Sequence, residues 1–288
     1  MFEGVPSLTA LAVLSMRALS SLPGSPSDHV GDRGHRVLVP GALDRSLDLL
    51  GALTARSPAT HRALRALTVG LADHVALRTD AIDRALLDAI DAGCTQLVIL
   101  GAGLDARAYR MDALRGLDVF EVDVKSTQAI KRRATRGRRL RARGHRFVEV
   151  DFERDALEAR LLAEGFDPSE KSVWIWEGVT PYLPRAAIEA TLHQVARLAD
   201  EGSRVLVTYV TGEMVNAPTW LLPAVLVGFE MLGEPLRGRL EPDELAALGA
   251  REGLRVIGDT GSRDWARAHY RERPSRVEIT ERLAVLER

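Results

Sequence analysis

An apolar run in this chain leads directly into two closely spaced glycines, and this pattern limits the possible folds more than any other part of the sequence. Residues 96–100 read Gln-Leu-Val-Ile-Leu, and Gly101 and Gly103 follow at once. Glycine lets the backbone turn sharply and leaves no side chain between the main chain and a ligand. The next apolar run ends in Glu121 and Asp123, at about the spacing from the glycines at which nucleotide-binding units place a carboxylate on ribose hydroxyls. The pattern indicates an adenosine-containing cofactor.

The third glycine of a dinucleotide-binding fingerprint is missing. Ala106 stands where that glycine would be, with Asp105 and Arg107 beside it. A pyrophosphate prefers the bare amides of a helix N-terminus, and a carboxylate at that position repels phosphate. S-adenosylmethionine carries a cationic sulfonium and no phosphate. The departure therefore favours a methyl donor over a nicotinamide dinucleotide, which stays the alternative.

Composition narrows the possible partners. The chain has 288 residues, of which 46% are hydrophobic, and its formal net charge is -1, which gives no electrostatic reason to expect nucleic acid or an anionic membrane. The basic run 131–143 has no interleaved aromatic residues and is interpreted as a solvated helix face. We expect a small-molecule substrate and no metal, and both a monomer and a homodimer remain open.

Cysteine content and hydropathy bear on location. Cys94 is the only cysteine, so no internal disulfide can form. The apolar stretch 8–14 lacks the basic start of a signal peptide, and nothing approaches the roughly 18 apolar residues that span a bilayer. These features predict a soluble cytoplasmic protein.

From about residue 80 onward, the pattern alternates between strands and helices, which predicts an α/β fold with a mostly parallel sheet and helices on both faces. The predicted strands are 96–100, 117–122, 146–150, 172–176, 204–209, 254–257 and 277–286, the last of them hairpinned against an earlier strand. The predicted helices are 81–90, 126–143, 154–164, 185–199 and one that begins near 241.

Two regions depart from this alternation. Residues 1–79 are predicted to form a helical cap or lid, and residues 80–288 the core. A stretch of about 211–238, which contains Trp220 and Phe229, is predicted to be an insertion after the fifth strand. Ligands of open α/β sheets bind beyond the carboxyl ends of the strands, so we expect both regions to cover the site.

Six segments in order resemble the leucine carboxyl methyltransferase family, a group of class I S-adenosylmethionine-dependent methyltransferases that includes bacterial small-molecule O-methyltransferases. The opening helix 9–18 is followed by the Arg-Thr-containing segment 75–83 and the glycine motif 100–110. The remaining three are 120–123 with Lys131, 150–152, and the Glu-Gly-containing segment 176–184. The resemblance implies a Rossmann-like class I methyltransferase fold with a seven-stranded sheet, and S-adenosylmethionine as cofactor.

The resemblance also assigns roles to individual residues. Arg78 is expected to hold the methionine carboxylate, and Asp123 to accept the ribose hydroxyls with Glu121 beside it. Asp151 is expected to accept from the adenine amino group while the backbone of Phe152 reads the ring. The predicted cofactor-binding set is Arg78, Gly101, Ala102, Gly103, Asp105, Glu121, Asp123, Asp151, Phe152 and Glu177.

The acceptor side of the site is less constrained. Glu177 and Tyr182 are candidates for positioning the reactants, and Tyr182, Tyr209, Trp220 and Phe229 are candidates for the substrate wall. A carboxylate acceptor is already ionised at pH 7, whereas a hydroxyl needs a general base. No residue stands out as that base.

The sequence therefore predicts an O-methyltransferase that acts on a carboxylate or hydroxyl of a secondary metabolite, such as a polyketide. Methylation of a protein C-terminal carboxylate is an alternative within the family. An NAD(P)-dependent oxidoreductase is the more distant alternative.

Overall fold

The structure is a computed structural model that describes residues 13–18, 38, 45–46, 48–49, 51–52, 71–152, 155–216, 238–269 and 278–288. Its centre is a seven-stranded sheet with the strand order β3-β2-β1-β4-β5-β7-β6. The predicted α/β class and the mostly parallel sheet are confirmed. None of the helices in these ranges is long and apolar enough to cross a membrane.

The first five strands pair in parallel. They are β1 (Gln96–Leu100), β2 (Asp118–Asp123), β3 (Gly144–Glu149), β4 (Ser172–Trp176) and β5 (Arg204–Asn216). Every residue of β1 and β4 is buried. Helices cover both faces of such a sheet, so its central strands read as continuous apolar runs rather than as alternating ones.

The last two strands reverse direction. β6 (Arg255–Gly261) pairs antiparallel with β7 (Glu278–Glu287), and β7 also pairs antiparallel with β5. The predicted terminal strand is thus present, but it lies between two strands and joins both. The fifth strand continues to Asn216, beyond its predicted end at 209.

Helices connect these strands. They are α1 (Leu71–Asp91), α2 (Arg107–Arg110), α3 (Lys125–Ala134), α4 (Leu157–Ala163), α5 (Arg185–Leu198), α6 (Pro242–Arg251) and α7 (Ser262–His269). The expected helix 126–143 is shorter than predicted, because α3 ends at Ala134 and Gly137 turns the chain with φ of 74°. The expected boundary between residues 79 and 80 falls inside α1, which is continuous across it.

Apolar side chains pack on both faces of the sheet. One cluster contains Trp174 and Trp176 of β4, and the other contains Ile82 and Leu86 of α1. A third, smaller cluster joins Leu14 of the helical segment 13–18 to Leu104, just after the glycine turn. This contact brings the N-terminal segment to the carboxyl end of β1.

Candidate cofactor site

The glycine turn that follows β1 has the open backbone that the sequence predicts. Gly101 and Gly103 have φ of 64° and 48°, in the region that favours glycine. A Cβ placed on Gly101 would lie 2.5 Å from Cγ2 of Val179. The N–H of Ala102 donates to the carbonyl of Val122 at 3.0 Å, which ties the turn to β2. The turn therefore has no room for a side chain at Gly101, because Val179 packs directly against it.

Asp123 closes β2 directly beside this turn. Its Oδ2 accepts the N–H of Gly103 at 2.6 Å, and its Oδ1 accepts the N–H of Val124 at 2.7 Å. Burial raises the pKa of Asp123 above its ordinary value, although both backbone hydrogen bonds oppose that shift. Gly103 and Asp123, which are separated by twenty residues in the sequence, are thus in direct contact in the structure.

Glu121 does not share this position, contrary to expectation. Its side chain is 1% exposed, and its Oε2 lies 2.5 Å from Nζ of Lys131, which is itself 1% exposed. Nε2 of His145 lies 3.3 Å from its other carboxylate oxygen. Because Lys131 covers it inside the protein, Glu121 belongs to the β2–α3 packing, and Lys131 does not belong to the solvated face predicted for 131–143.

A cluster of arginines and carboxylates lies next to the turn, where α1, β4 and β7 meet. We call this the charge cluster, and its members are Arg17, Arg78, Asp83, Asp105, Arg107, Arg110, Glu177 and Glu281. Four cationic and four anionic side chains balance in formal charge. Buried charges are tolerated when they are paired and hydrogen-bonded in this way.

Glu177, which follows β4, is the centre of the charge cluster. Its Oε1 accepts from Nη2 of Arg17 at 2.5 Å and from Nε of Arg78 at 3.1 Å. Its Oε2 accepts from Nη1 of Arg107 at 3.0 Å. These three guanidinium groups hold the pKa of Glu177 well below its usual range despite its burial. Glu177 therefore stays ionised and cannot take up a proton near neutral pH.

Asp105 is compensated within the protein. Its Oδ1 accepts the backbone N–H of Arg107 at 2.7 Å, and its Oδ2 accepts from Nη1 of the same residue. Nε of Arg107 donates to Asp83 at 2.7 Å, and the Arg107 side chain is 1% exposed. Arg107 therefore compensates the charge of Asp105 within the protein, whereas the sequence alone suggested an unpaired carboxylate at the turn.

Arg78 reaches the charge cluster from α1. Besides Glu177, it donates from Nη1 to both oxygens of Glu281 on β7, at 3.1 and 3.0 Å. Nε2 of His74, one helical turn earlier, lies 2.7 Å from Oε2 of Glu281. Gly178 leaves space beside this guanidinium, because a Cβ there would lie 3.8 Å from Nη1 and 3.9 Å from Nη2 of Arg78.

The predicted adenine residues follow β3. The N–H of Asp151 donates to Oδ2 of Asp155 at 2.9 Å, and Phe152 packs partly buried against the core. Asp151 does not cap the next helix, because the N-cap of α4 is Ala156, without a side-chain hydrogen bond. Asp123 and Asp151 thus follow the neighbouring strands β2 and β3 at one edge of the sheet.

The two substrate candidates that the structure describes, Tyr182 and Tyr209, have different surroundings. Tyr182 ends the short turn Thr180–Tyr182 and lies near enough to Arg78 to be among the groups that raise the Arg78 pKa. Tyr209 is 1% exposed, and its hydroxyl donates to Oδ2 of Asp259 at 2.6 Å, so the structure makes it a core residue rather than a substrate wall. Trp220 and Phe229 lie outside the described residues.

Several site residues were not predicted. Arg17 lies in the opening helix and Arg107 in the glycine motif. The sequence therefore predicted the segment that contains each arginine, but it assigned neither of them a function. Glu281 follows no motif, and only the pairing of β7 with β5 and β6 brings it to Arg78.

These features fit the cofactor that the sequence suggested. The glycine turn presents backbone without side chains at two positions of positive φ, and a carboxylate ends β2 beside it. The Arg78 guanidinium lies beside Gly178, and its Nη2 makes no hydrogen bond within the described residues. Together with the sheet order, they define a Rossmann-like protein of the class I methyltransferase type.

Comparison with known proteins gives the family. The profile of the family described as "Leucine carboxyl methyltransferase" matches residues 10–196. This match covers more than half of the chain, and the chain therefore belongs to the leucine carboxyl methyltransferase family. The cofactor that the relatives' names specify is S-adenosylmethionine.

Two bacterial relatives carry the name "Putative S-adenosyl-L-methionine-dependent methyltransferase". The Frankia alni protein is 38% identical over 167 residues, which is 58% of this chain and 58% of that protein. The Mycobacterium tuberculosis protein is 37% identical over 205 residues, which is 70% of this chain and 64% of that protein. The chain thus matches less than two thirds of the length of either relative.

A solved structure supports the fold. The DUF574 family protein from Streptomyces avermitilis superposes with a TM-score of 0.56 at 15% identity, covering 88% of this chain and 95% of the other. At this identity the likeness concerns the fold alone.

Proposed function

We propose that this protein is an S-adenosylmethionine-dependent O-methyltransferase that acts on the carboxylate or hydroxyl of a small molecule, such as a polyketide-like secondary metabolite. The observation that carries the proposal is the convergence of the glycine turn, Asp123, Arg78 and Glu177 at the carboxyl ends of β1, β2 and β4. Ligands of open α/β sheets bind at this edge.

Each of the charged side chains would contact a different part of the cofactor. When bound, the cofactor supplies a methyl group activated by a sulfonium. Arg78 would hold the methionine carboxylate and Asp123 the ribose hydroxyls, while Glu177 supplies a negative charge for the amino group. Nη2 of Arg78 makes no hydrogen bond within the described residues and is the donor left for a ligand.

The charge cluster favours a carboxylate acceptor over a hydroxyl. Each of its four carboxylates is paired with at least one arginine, and the pKa of Glu177 is held well below its usual range. A general base works best with a pKa near the operating pH. A carboxylate acceptor is ionised at pH 7 and needs no such base, so the protein's task is to align the two reactants.

The first test is isothermal titration with S-adenosylhomocysteine and, separately, with NADH. We expect the wild type to bind S-adenosylhomocysteine and not NADH. Arg78→Ala should weaken this binding by about 1.5–3 kcal/mol, the size of a charged hydrogen bond. The matched control is Arg84→Ala on the same helix, whose side chain is 63% exposed and pairs with Asp80. Binding of NADH instead, or of neither ligand, would contradict the proposal.

The second part of the same test identifies the acceptor. Labelled S-adenosylmethionine is offered with a panel of small aromatic carboxylic acids, matched phenols, and peptides that end in a free carboxylate. Methyl esters release methanol in mild alkali and methyl ethers do not, which separates the two products. Methylation of peptides alone would replace the small-molecule proposal by the C-terminal carboxyl alternative.

A further inference from the structure

Glu281 links the last strand of the sheet to the predicted cofactor anchor. It lies on β7, outside the segment 10–196 that the family profile matches. Its side chain is 5% exposed, and both of its oxygens accept from Nη1 of Arg78, which lies 203 residues earlier. A buried carboxylate with this pairing restricts the rotation of the guanidinium that it faces.

We propose that Glu281 is a positioning residue that orients Arg78 toward the carboxylate of the cofactor. The inference rests on the proposed function, because it takes Arg78 as the anchor. Nε of Arg78 is held by Glu177 and Nη1 by Glu281, while Nη2 has no hydrogen bond within the described residues. Two carboxylates thus fix the plane of the guanidinium and leave one nitrogen for a ligand.

Glu281 is itself held in place. Nε2 of His74 lies 2.7 Å from its Oε2, and the His74 ring lies against Trp265 of α7, with the ring centroids 6.0 Å apart. His74 and Arg78 are one turn apart on α1, so a single carboxylate joins two positions of that helix to β7. An anchor oriented in advance loses less conformational freedom when it binds its ligand.

The test compares two ligands on Glu281→Gln. S-adenosylhomocysteine carries the amino-acid part that Arg78 would hold, and 5′-methylthioadenosine lacks it. We expect the variant to bind S-adenosylhomocysteine about tenfold more weakly than wild type, which is at the lower end for the loss of a charged contact. Its affinity for 5′-methylthioadenosine should stay within about twofold of the wild-type value. The matched control is Glu287→Gln on the same strand, whose side chain is 28% exposed and pairs with Arg204 and Arg255.

A second comparison shows whether Glu281 acts through Arg78. In an Arg78→Ala background, Glu281→Gln should cause no further loss of S-adenosylhomocysteine binding, since the group it orients is gone. If Glu281→Gln does not fold, Glu281→Asp takes its place with the same two ligands and the same criterion.

The possible failures are distinct. The positioning role would be overturned if Glu281→Gln weakened binding of both ligands equally, or if it left S-adenosylhomocysteine binding unchanged. It would also be overturned if Glu281→Gln weakened S-adenosylhomocysteine binding as strongly in the Arg78→Ala background as in the wild type. A wild type that binds neither ligand would instead contradict the proposed function.

Discussion

The glycine turn depends on one backbone position more than on any side chain. Gly101 combines a positive φ of 64° with contact to Val179, so two separate restraints exclude a larger residue. Gly103 shares the first restraint, and its N–H also donates to Asp123. The turn and the carboxylate at the end of β2 therefore form a single unit, in which a change of backbone at one point displaces the other.

Replacing Gly101 by Ala tests this unit. The added Cβ would lie 2.5 Å from Cγ2 of Val179, and the backbone would be strained by about 1–3 kcal/mol. We expect lower stability in urea unfolding and loss of S-adenosylhomocysteine binding. Gly116→Ala is the control, because nothing lies within 4 Å of its Cβ position and its φ is not in the positive region. Equal behaviour of the two variants would show that the turn tolerates a side chain.

Single positions also show what the sequence could predict. Gly101, Gly103 and Asp123 were predictable because their spacing reflects a local chain path from β1 through α2 to β2. The pairing of Asp105 with Arg107 was not, because a sequence gives the charge of a residue but not its compensating partner. Contacts between distant segments, such as Arg78 with Glu281, leave no periodic pattern in the chain.

Between elements, β2 and α3 are joined by a buried ion pair. Glu121 and Lys131 are each 1% exposed, and their charged atoms lie 2.5 Å apart. A buried pair of this kind adds little net stability over apolar residues, but the loss of one partner leaves an uncompensated charge in the core. The pair therefore constrains how α3 packs on the strand that carries Asp123.

Lys131→Met should lower the free energy of unfolding by about 3–5 kcal/mol, since Glu121 stays buried without its lysine and keeps only the longer contact with His145. The double variant Glu121→Leu with Lys131→Met should recover much of that loss. Arg185→Met serves as the surface control, because Arg185 is 42% exposed where it pairs with Glu189, and exposed pairs contribute about 0–1 kcal/mol. Chemical denaturation measures all three. If Lys131→Met lowered the free energy of unfolding no more than Arg185→Met does, Glu121 would have found another partner.

The protein as a whole should lose stability in acid through its charge cluster. Against the effect of burial, Arg78 and His74 lower the pKa of Glu281 from 4.5 to about 2. Three arginines likewise hold the pKa of Glu177 well below its usual range. A carboxyl whose pKa is depressed in the folded state stabilises that state above its unfolded pKa. This contribution is lost as the pH falls from about 4.5 to about 2.

Glu281→Gln isolates the contribution of Glu281 to this pH dependence of stability. We expect the variant to be less stable than wild type at pH 7, and the difference to shrink by roughly 3 kcal/mol as the pH falls through that window. Urea unfolding at several pH values measures the difference. Glu287→Gln should show a much smaller dependence, and a difference for Glu281→Gln that does not vary with pH would contradict the assignment.

Most of the fold was predictable from the sequence, for a physical reason. β1 and β4 are buried on both faces, so they read as unbroken apolar runs with clear ends. The position of β7 between β5 and β6 was harder to predict, because the hydrophobic pattern of a strand does not indicate which strands it pairs with. The predicted end of the third helix was wrong because its arginines continue past the turn at Gly137.

The place of β7 has a consequence for the order in which the protein matures during synthesis. β6 is made before β7, yet within the described sheet it pairs only with β7 and cannot join β5 without it. Arg78 likewise leaves the ribosome some two hundred residues before Glu281. The sheet and the contact that orients the predicted cofactor anchor therefore both stay incomplete until β7 has been made.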